Sequence, residues 1–305
     1  MPLRSDLFEQ LQAALTGNYS IERELGHGAM ATVYLAHDRA GIPVAFKLLH
    51  PDLGSTVGAE RFRREIRIAA RLQHPNILSA LDSGVTTVSR VAGGPSLELL
   101  WFVMPFVRGQ NLWERFEKEG PFPADEVLRV GRAVASALAY AHGQGVVHRD
   151  IKPDNIMLED QRVLVADFGL ARAVSDAHEK LTATGAVLGT PIYMSPEQAS
   201  GDKEIDGRSD IFALACVLYE MLSGRPPFCG PTPQATLTRR FTGPPGKLRP
   251  FVQVPEHVEV AILRALAREP AERFATADEF AAALSATPVP ARASTQPPQA
   301  PENKG

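Results

Sequence analysis

The sequence predicts an α+β protein with two lobes: a small lobe with a five-stranded antiparallel sheet and one main helix, then a larger, mainly helical lobe. Two patterns indicate this. Apolar residues alternate as in strands over residues 19–49, and again near 77–90 and 97–107, whereas after Gly109 they recur at helical spacing. A length of 305 residues with 44 % hydrophobic content is sufficient for two lobes.

A short amphipathic helix is expected before the first strand. Four apolar side chains share one face of it: Leu7, Phe8, Leu11 and Leu15. Ser5 is placed to cap this helix and Gly17 to end it. Residues 1–18 are therefore interpreted as a helix that docks onto the small lobe.

The small lobe is assigned to residues 19–107. Three antiparallel strands are predicted in the runs YSIEREL, ATVYLAHD and PVAFKLL. Residues 59–73 then return to helical spacing, and Glu65 lies on the same stripe as the apolar side chains. That stripe consists of Phe62, Ile66, Ala69 and Leu72. Two further strands, separated by the turn-rich VAGGPS, complete the predicted sheet.

The larger lobe is assigned to residues 108–287. Its predicted helices are LWERFEKEG, ADEVLRVGRAVASALAYAHGQG, a buried helix at 210–222, and amphipathic helices near 256–268 and 276–285. From Pro288 onward, five prolines fall among eighteen residues and large apolar side chains are almost absent. Residues 288–305 are therefore predicted to be a linker or a disordered tail.

Composition excludes several classes of partner. A net charge of −3 and a pI near 6.3 give no long-range attraction for nucleic acid, so we expect no nucleic-acid partner. The longest apolar run, residues 211–219, is about half a membrane span, and no signal peptide is evident. We expect no membrane contact by this chain. Cys216 and Cys229 lack metal-ligand spacing and are expected to be reduced thiols of a cytoplasmic protein.

A glycine-containing segment and two core-facing charges point to an anion site in the small lobe. In LGHGAMATV, residues 25–33, the glycines let the backbone close over a phosphate. Ala31 replaces the third glycine of the usual pattern, so an ordinary hairpin turn is the alternative for this segment alone. Lys47 lies among apolar strand residues, where an ammonium needs an anion unless it is exposed. Glu65 needs a partner in turn, and we predict that these two residues pair.

The run VVHRDIKPDNIML, residues 146–158, places an acid, a base and an amide on one loop. Asp150 can accept the proton of a substrate hydroxyl, and Lys152 can neutralise a transferring phosphoryl group. Asn155 offers a neutral oxygen to a metal ion, and Asp167 in VADFGLA offers the anionic oxygen that a hard cation prefers. A capped turn is the alternative for any one of them. Together they indicate phosphoryl transfer with magnesium.

With these motifs in place, residues 19 to about 286 resemble the eukaryotic-like serine/threonine protein kinases of bacteria. The resemblance is carried by LGHGAMATV, VAFK, Glu65, HRDIKPDN, DFG and GTPIYMSPE. It implies a bilobal protein-kinase-like fold, the cofactors ATP and Mg²⁺ or Mn²⁺, and signalling by phosphoryl transfer to serine and threonine hydroxyls of protein substrates.

The resemblance also implies a role for each site residue. Lys47 would bind the α and β phosphates and pair with Glu65, Asp150 would be the base, and Asn155 and Asp167 would bind the metal. Lys152 completes the implied catalytic set. The implied ATP-binding residues are Leu25, Gly26, His27, Gly28, Ala29, Met30, Ala31, Thr32, Val33, Ala45, Lys47, Met104, Pro105, Val107 and Met157.

Two of the implied ATP-binding residues, Met104 and Pro105, would lie next to the adenine. Met104 would be the gatekeeper next to the adenine. Pro105 stands where family members usually have a Glu, and because the adenine contact there uses the backbone carbonyl, Pro should not abolish ATP binding.

The resemblance further implies control by phosphorylation. Arg149 directly precedes Asp150, and an Arg at this position needs an anionic partner. The implied acceptors are Thr182 and Thr184, a Thr-x-Thr pair like that of bacterial receptor kinases that phosphorylate themselves, which implies transient self-association. Two solvated loop threonines are the alternative. Thr190 would position the substrate hydroxyl.

Three further residues are assigned structural roles by the resemblance. Glu197 would form a salt bridge with Arg273, and Asp210 would anchor the backbone of the loop around Asp150. A helix N-cap is the alternative for Asp210, and both roles can coexist. By the same resemblance, the chain is expected to be cytoplasmic, either alone or as the cytoplasmic part of a membrane-anchored parent.

Two rival functions remain open at this point. A pseudokinase scaffold would bind ATP without turnover, and the replacement at Ala31 is its only support. A small-molecule phosphotransferase of related fold would be expected to lack GTPIYMSPE, which this chain contains.

Overall fold

The computed structural model describes residues 5–28, 30–51, 59–89, 96–168, 192–250 and 252–285. Five strands form one antiparallel sheet in the small lobe, in the order β1-β2-β3-β5-β4. They are β1 (Tyr19–His27), β2 (Ala31–Asp38), β3 (Pro43–Leu49), β4 (Asp82–Ser89) and β5 (Ser96–Pro105). The predicted fold class is confirmed, with a five-stranded small lobe followed by a helical lobe.

One face of the sheet is covered by helix α1 (Ser5–Leu15), which contacts β1 and β4. Leu11 and Leu15 are buried there in one apolar cluster with sheet residues that include Phe46. The side-chain amide of Gln10 donates to the carbonyl of Ser89 and accepts from its N–H, both at 2.9 Å. The helix therefore extends the hydrogen bonding of β4 as well as covering the apolar face.

The opposite face carries helix α2 (Ala59–Ala69), whose Phe62 and Ile66 pack against the sheet. The helix ends before the predicted residue 73. Its last turn tightens into i to i+3 hydrogen bonds, such as that from the N–H of Leu72 to the carbonyl of Ala69, and Pro75 disfavours a helical residue before it.

The fourth strand begins later than the sequence pattern suggests. The alternation predicted a strand from about residue 77, but β4 begins at Asp82. Ile77 instead bridges Val165 in the larger lobe, and the N–H of Leu78 donates to the carbonyl of Val165 at 2.9 Å. The segment is extended as predicted, yet its first part pairs with the other lobe.

Seven α-helices are described in the larger lobe, within the ranges given above. They are α3 (Leu112–Glu119), α4 (Ala124–Gly143), α5 (Pro196–Ala199), α6 (Gly207–Ser223), α7 (Pro233–Thr242), α8 (Glu256–Ala265) and α9 (Ala277–Ser285). α4 and α6 contact each other at the centre of the lobe, where Leu138 and Phe212 are fully buried. No helix among the described residues combines the length and apolarity that a membrane crossing requires.

Helix α6 positions part of the site. Its N-cap is Asp206, whose side chain accepts from the N–H of Arg208 at 2.9 Å, and it ends at Gly224 in the left-handed conformation. Asp210 lies inside the first turn, so the interpretation of Asp210 as the N-cap is wrong. Its carboxylate can therefore form hydrogen bonds with residues outside the helix.

A small three-stranded antiparallel sheet lies next to the helices. It consists of β6 (Gln110–Asn111), β7 (Ile156–Glu159) and β8 (Arg162–Val165). A Cβ at Gly109 would lie 1.9 Å from the carbonyl oxygen of Leu158, so only glycine permits this approach. Because β7 begins directly after Asn155 and β8 ends two residues before Asp167, the hairpin places both side chains at one end.

Candidate active site

The loop around Asp150 is held in place by a buried carboxylate. Asp210 accepts hydrogen bonds from the backbone N–H groups of His148 at 2.8 Å and Arg149 at 2.7 Å. The ring of His142 makes a third contact at 2.8 Å, and a Cβ on Gly207 would clash with that ring. These contacts fix a backbone in which Arg149 has φ +68°, a left-handed conformation that costs energy for a residue other than glycine.

His148 connects the loop to the segment that carries Asp167. It is fully buried, and the N–H of Asp150 donates to its Nδ1 at 3.2 Å. The ring proton therefore lies on Nε2, which donates to the carbonyl of Ala166 at 2.8 Å. The ring also meets the edge of Phe168, with centroids 4.6 Å apart. Sequence reasoning assigned no role to His148, although its place beside Asp150 was the available signal.

Asp150, Lys152 and Asn155 form one hydrogen-bonded group. The Nζ of Lys152 donates to Oδ2 of Asp150 at 2.8 Å. The Nδ2 of Asn155 donates to the same oxygen at 3.1 Å and to the backbone carbonyl of Asp150 at 2.8 Å. Burial would lower the pKa of Lys152, but the carboxylates of Asp150, Asp154 and Asp167 together raise it above the ordinary value. Among the described residues both side-chain donors use Oδ2, so Oδ1 remains available to accept a proton.

Asp167 brings the two lobes together. Its Oδ2 forms an ion pair with the Nζ of Lys47 on β3, and both side chains are mostly buried. Its Oδ1 is buried without a hydrogen-bond partner in the described part of the chain. A carboxylate oxygen in that situation requires a cation or a donor. The left-handed φ of +66° at Asp167 holds it in this orientation.

These groups fit a magnesium ion. Asn155 uses its Nδ2 on Asp150, which leaves its Oδ1 to face a cation, and Asp167 supplies the buried Oδ1. No cluster of three or more His, Cys, Asp or Glu residues suited to a metal occurs among the described residues. Mg²⁺ is compatible with this, because it is commonly bound by one or two protein oxygens, water and substrate phosphates.

The predicted ion pair between Lys47 and Glu65 is not formed in this conformation. Lys47 pairs with Asp167, while Glu65, only 3 % exposed on α2, accepts from Arg64 at 3.2 Å. The carboxylates of Asp167 and Glu65 compete for the ammonium of Lys47, and Asp167 contacts it directly. The charge that Glu65 was expected to supply comes from the larger lobe instead.

An apolar cluster between the lobes contains the residues expected to surround an adenine. Ala45, Met104 and Val107 are buried in it, and Met30, Val33 and Met157 pack against it. Leu164 and Ala166 from the larger lobe belong to the same cluster and were not predicted, although the apolar run before Asp167 was the signal for them. Pro105, at the end of β5, is exposed and stands opposite Val44.

Within the segment 25–33, residues 25–27 lie on β1 and residues 31–33 on β2. Leu25, Gly26 and His27 belong to β1, and Thr32 is buried on β2, where its Oγ1 is 2.9 Å from Nδ1 of His27. The N–H of Gly28 donates to the carbonyl of Ala31 at 2.9 Å. Ala31 is a regular strand residue and is not among the residues with positive φ, so it needs no glycine there. The replacement of glycine by Ala31, which favoured a pseudokinase, therefore introduces no backbone strain.

A buried ion pair holds α5, the helix that contacts the loop around Asp150. Arg273 donates two hydrogen bonds to Glu197, each at 2.7 Å, and its side chain is fully buried. This is the pairing that the resemblance implies. Burial would raise the pKa of Glu197, but the hydrogen bonds from Arg273 and Ser209 lower it.

Gln198 makes a further contact with the loop around Asp150, and sequence reasoning assigned it no role. It forms a capping box with Ser195 at the start of α5, and its Nε2 donates to the carbonyl of Arg149 at 2.9 Å. The signal was the Ser-x-x-Gln spacing, which is typical of a capping box. The predicted residues Ala29, Thr182, Thr184 and Thr190 lie outside the described residues.

Residues 19–282 match the family described as the protein kinase domain. Serine/threonine-protein kinase PknB of Mycobacterium leprae is 39 % identical over 294 residues, 94 % of this chain and 45 % of that protein. A probable PknB of Bifidobacterium longum is 39 % identical over 270 residues, 87 % of this chain and 39 % of that protein. The chain therefore spans less than half the length of these relatives.

Solved structures show the same likeness. The PknI kinase domain of Mycobacterium tuberculosis superposes with a TM-score of 0.67 at 33 % identity, over 88 % of this chain and 96 % of that chain. A structure of Rad53 in complex with AMP-PNP superposes with a TM-score of 0.70 at 27 % identity, over 87 % of this chain and 64 % of that chain.

Proposed function

Because the chain belongs to the protein kinase family, we propose that it transfers the γ-phosphoryl group of Mg-ATP to serine and threonine hydroxyls of proteins. One observation carries the proposal. The ion pair between Lys47 and Asp167 joins the lysine of the small lobe to a carboxylate that has a spare buried oxygen. The group of Asp150, Lys152 and Asn155 lies on the adjacent loop, so donors for phosphate, oxygens for a metal and a base converge at one place.

On the acceptor side, Asp150 is the base. Its Oδ2 is occupied by Lys152 and Asn155, and this orients Oδ1 to accept the proton of a substrate hydroxyl as the oxygen attacks phosphorus. Lys152 remains protonated because the pKa of its ammonium is raised, so it can stabilise charge on the transferring phosphoryl group. The proton ends on Asp150 and ADP leaves.

On the nucleotide side, the apolar cluster around Ala45 and Met104 would hold the adenine, and Lys47 would bind the phosphates. The backbone of residues 25–33 would cover the phosphates from above. Asp167 and Asn155 would hold Mg²⁺, or Mn²⁺ in its place, and the ion would supply positive charge to the phosphates. Transfer from ATP fits a cytoplasmic location.

The choice of acceptor and the control of the site are proposed from the resemblance. Lys152 in the loop and Thr190 follow the serine/threonine pattern, so short aliphatic hydroxyls are the proposed acceptors. Thr182 and Thr184 are proposed as sites at which one copy phosphorylates another during transient self-association. The phosphate would then give Arg149 an anionic partner.

The test is to incubate the purified chain with Mg-ATP, with and without myelin basic protein, and to locate phosphate by mass spectrometry. We expect phosphothreonine at Thr182 or Thr184 and phosphate on the added protein. The variant Asp150→Asn should form both products about 10² to 10⁴ times more slowly, whereas Asp154→Asn, at an exposed acid of the same loop, should form both at the unmodified rate. Absence of phosphate from the unmodified chain and from the added protein would contradict the proposed function.

A further inference from the structure

A buried arginine lies beside residues 192–194, where the described part of the chain resumes after residue 168. Arg240, on α7, is 2 % exposed, whereas its neighbour Arg239 is exposed. The guanidinium of Arg240 donates to the carbonyl of Met194 and, at 3.4 Å, to that of Ile192. Burial lowers the pKa of Arg240, which reflects the cost of removing this charge from water.

The segment 192–194 is held from two directions. Its carbonyls at Ile192 and Met194 face α7, whereas the hydroxyl of Tyr193 donates to Oε2 of Glu220 on α6 at 2.6 Å. Met194 nevertheless remains 38 % exposed. Backbone and side-chain contacts thus fix a short segment that still presents an apolar side chain to solvent.

The same segment continues directly to the loop that carries the base. Ser195 begins the capping box of α5, and Gln198 in that box donates to the carbonyl of Arg149, the residue before Asp150. Only a few covalent and hydrogen bonds therefore separate the carbonyls that Arg240 holds from the base. A substrate hydroxyl has to reach Asp150, so the chain that carries it would pass near this fixed segment.

We propose that Arg240 is a positioning residue for the protein substrate: by holding the carbonyls of residues 192 and 194, it fixes the surface against which the acceptor chain binds near Asp150. The proposal rests on the proposed function. It assigns Arg240 to binding of the protein substrate and not to binding of ATP, because the segment 192–194 that it holds packs, through Tyr193, against the core of the larger lobe and not against the apolar cluster between the lobes.

The experiment compares Arg240→Met, Arg240→Lys and Arg239→Ala, with myelin basic protein as substrate. For Arg240→Met we expect the KM for the protein substrate to rise about tenfold, with the KM for ATP and the slow hydrolysis of ATP without substrate unchanged. Arg240→Lys keeps a charge but not the planar fork, so its KM should lie between those of Arg240→Met and the unmodified chain. Arg239→Ala should match the unmodified chain.

The outcomes separate the two proposals. If the unmodified chain transfers no phosphoryl group, the proposed function fails and the role of Arg240 fails with it. If the unmodified chain is active but Arg240→Met changes both KM values together, or neither, only the role of Arg240 is overturned. Should Arg240→Met not fold, Arg240→Lys decides: an unchanged KM for the protein substrate overturns the role, and a raised KM at constant KM for ATP supports it.

Discussion

The two halves of the site differ in how they are held. In the acceptor half, defined by Asp150, Lys152 and Asn155, the side chains bind one another, and Asp210 fixes the backbone. In the nucleotide half, defined by Lys47, Glu65 and Asp167, the lysine pairs with Asp167 and not with the glutamate of α2. The acceptor half is therefore complete without nucleotide, whereas the nucleotide half contains two carboxylates that compete for one ammonium.

The competition suggests how nucleotide binding would complete the site. A metal ion on Asp167 would reduce the negative charge available to Lys47. Lys47 would then turn to phosphate oxygens and to Glu65, which already lies on the inward face of α2. The two halves should accordingly respond differently to mutation: changes in the support of the acceptor half should cost stability, and changes in the nucleotide half should cost turnover alone.

The largest effect is expected at the base. Asp150→Asn keeps the contacts that Oδ2 and the backbone carbonyl make but removes the proton acceptor, so turnover should fall by about 10² to 10⁴. Binding of ATP, measured by isothermal titration calorimetry, and the free energy of unfolding should change little. Turnover of Asp150→Asn within about tenfold of the unmodified chain would show that the base has been misassigned.

The next largest effect is expected in the support of the acceptor half. Arg273→Met leaves the buried carboxylate of Glu197 without the two hydrogen bonds from Arg273 and without a counter-charge, so the free energy of unfolding should fall by about 3–5 kcal/mol in urea titrations. The exposed pair of Arg162 and Glu159, 3.1 Å apart, gives a matched control. Arg162→Ala should change the free energy of unfolding by at most about 1 kcal/mol.

The same variant has a pH signature. The pKa of Glu197 is lowered in the folded protein from the ordinary value of 4.5, so its contribution is present above pH 4.5 and is lost as the pH falls through the folded value. In Arg273→Met this loss of stability on the acid side should shrink. An equally steep loss below pH 4.5 would indicate that other carboxylates cause it.

The acceptor half also shows how far sequence reasoning reaches. Its residues follow one another within a short loop, so the side chains that converge there could be named from their spacing alone. The contacts of Asp210 and the pair of Glu197 with Arg273 are likewise those that the resemblance implies. By contrast, no local pattern reports that the ring of His148 donates to Ala166.

The nucleotide half shows where such reasoning ends. The partner of Lys47 depends on the relative positions of two carboxylates from distant parts of the chain, a tertiary quantity that no motif encodes. The same is true of residues 77–81. The alternation of apolar residues there predicts an extended segment but not the strand with which it pairs. The partner of Lys47 and the pairing of residues 77–81 were therefore the long-range contacts that sequence reasoning did not predict.

A third prediction concerns the backbone of the acceptor half. Asp210→Asn keeps the size of the side chain but replaces one of the two oxygens that accept from His148 and Arg149. The free energy of unfolding should fall by about 2 kcal/mol, and turnover should fall with it because the loop loses its anchor. Paired urea titrations and phosphoryl-transfer assays test this. If turnover falls while stability is unchanged, the acceptor half is not held in the way described.

The smallest and most discriminating effect is expected at Glu65. Glu65→Gln keeps the size of the side chain and one acceptor oxygen, and the loss of a buried charge offsets the loss of the ion pair with Arg64, so stability should change by less than about 1 kcal/mol. Turnover should nevertheless fall about tenfold, because Lys47 then has no carboxylate on the inward face of α2 to exchange for Asp167. Glu60→Gln, on the exposed face of the same helix, is the matched control and should retain full turnover.

If Glu65→Gln destabilises the protein as much as Asp210→Asn does, the contrast between a fixed acceptor half and an exchangeable nucleotide half is wrong. If its turnover equals that of Glu60→Gln, Lys47 does not exchange partners during the reaction.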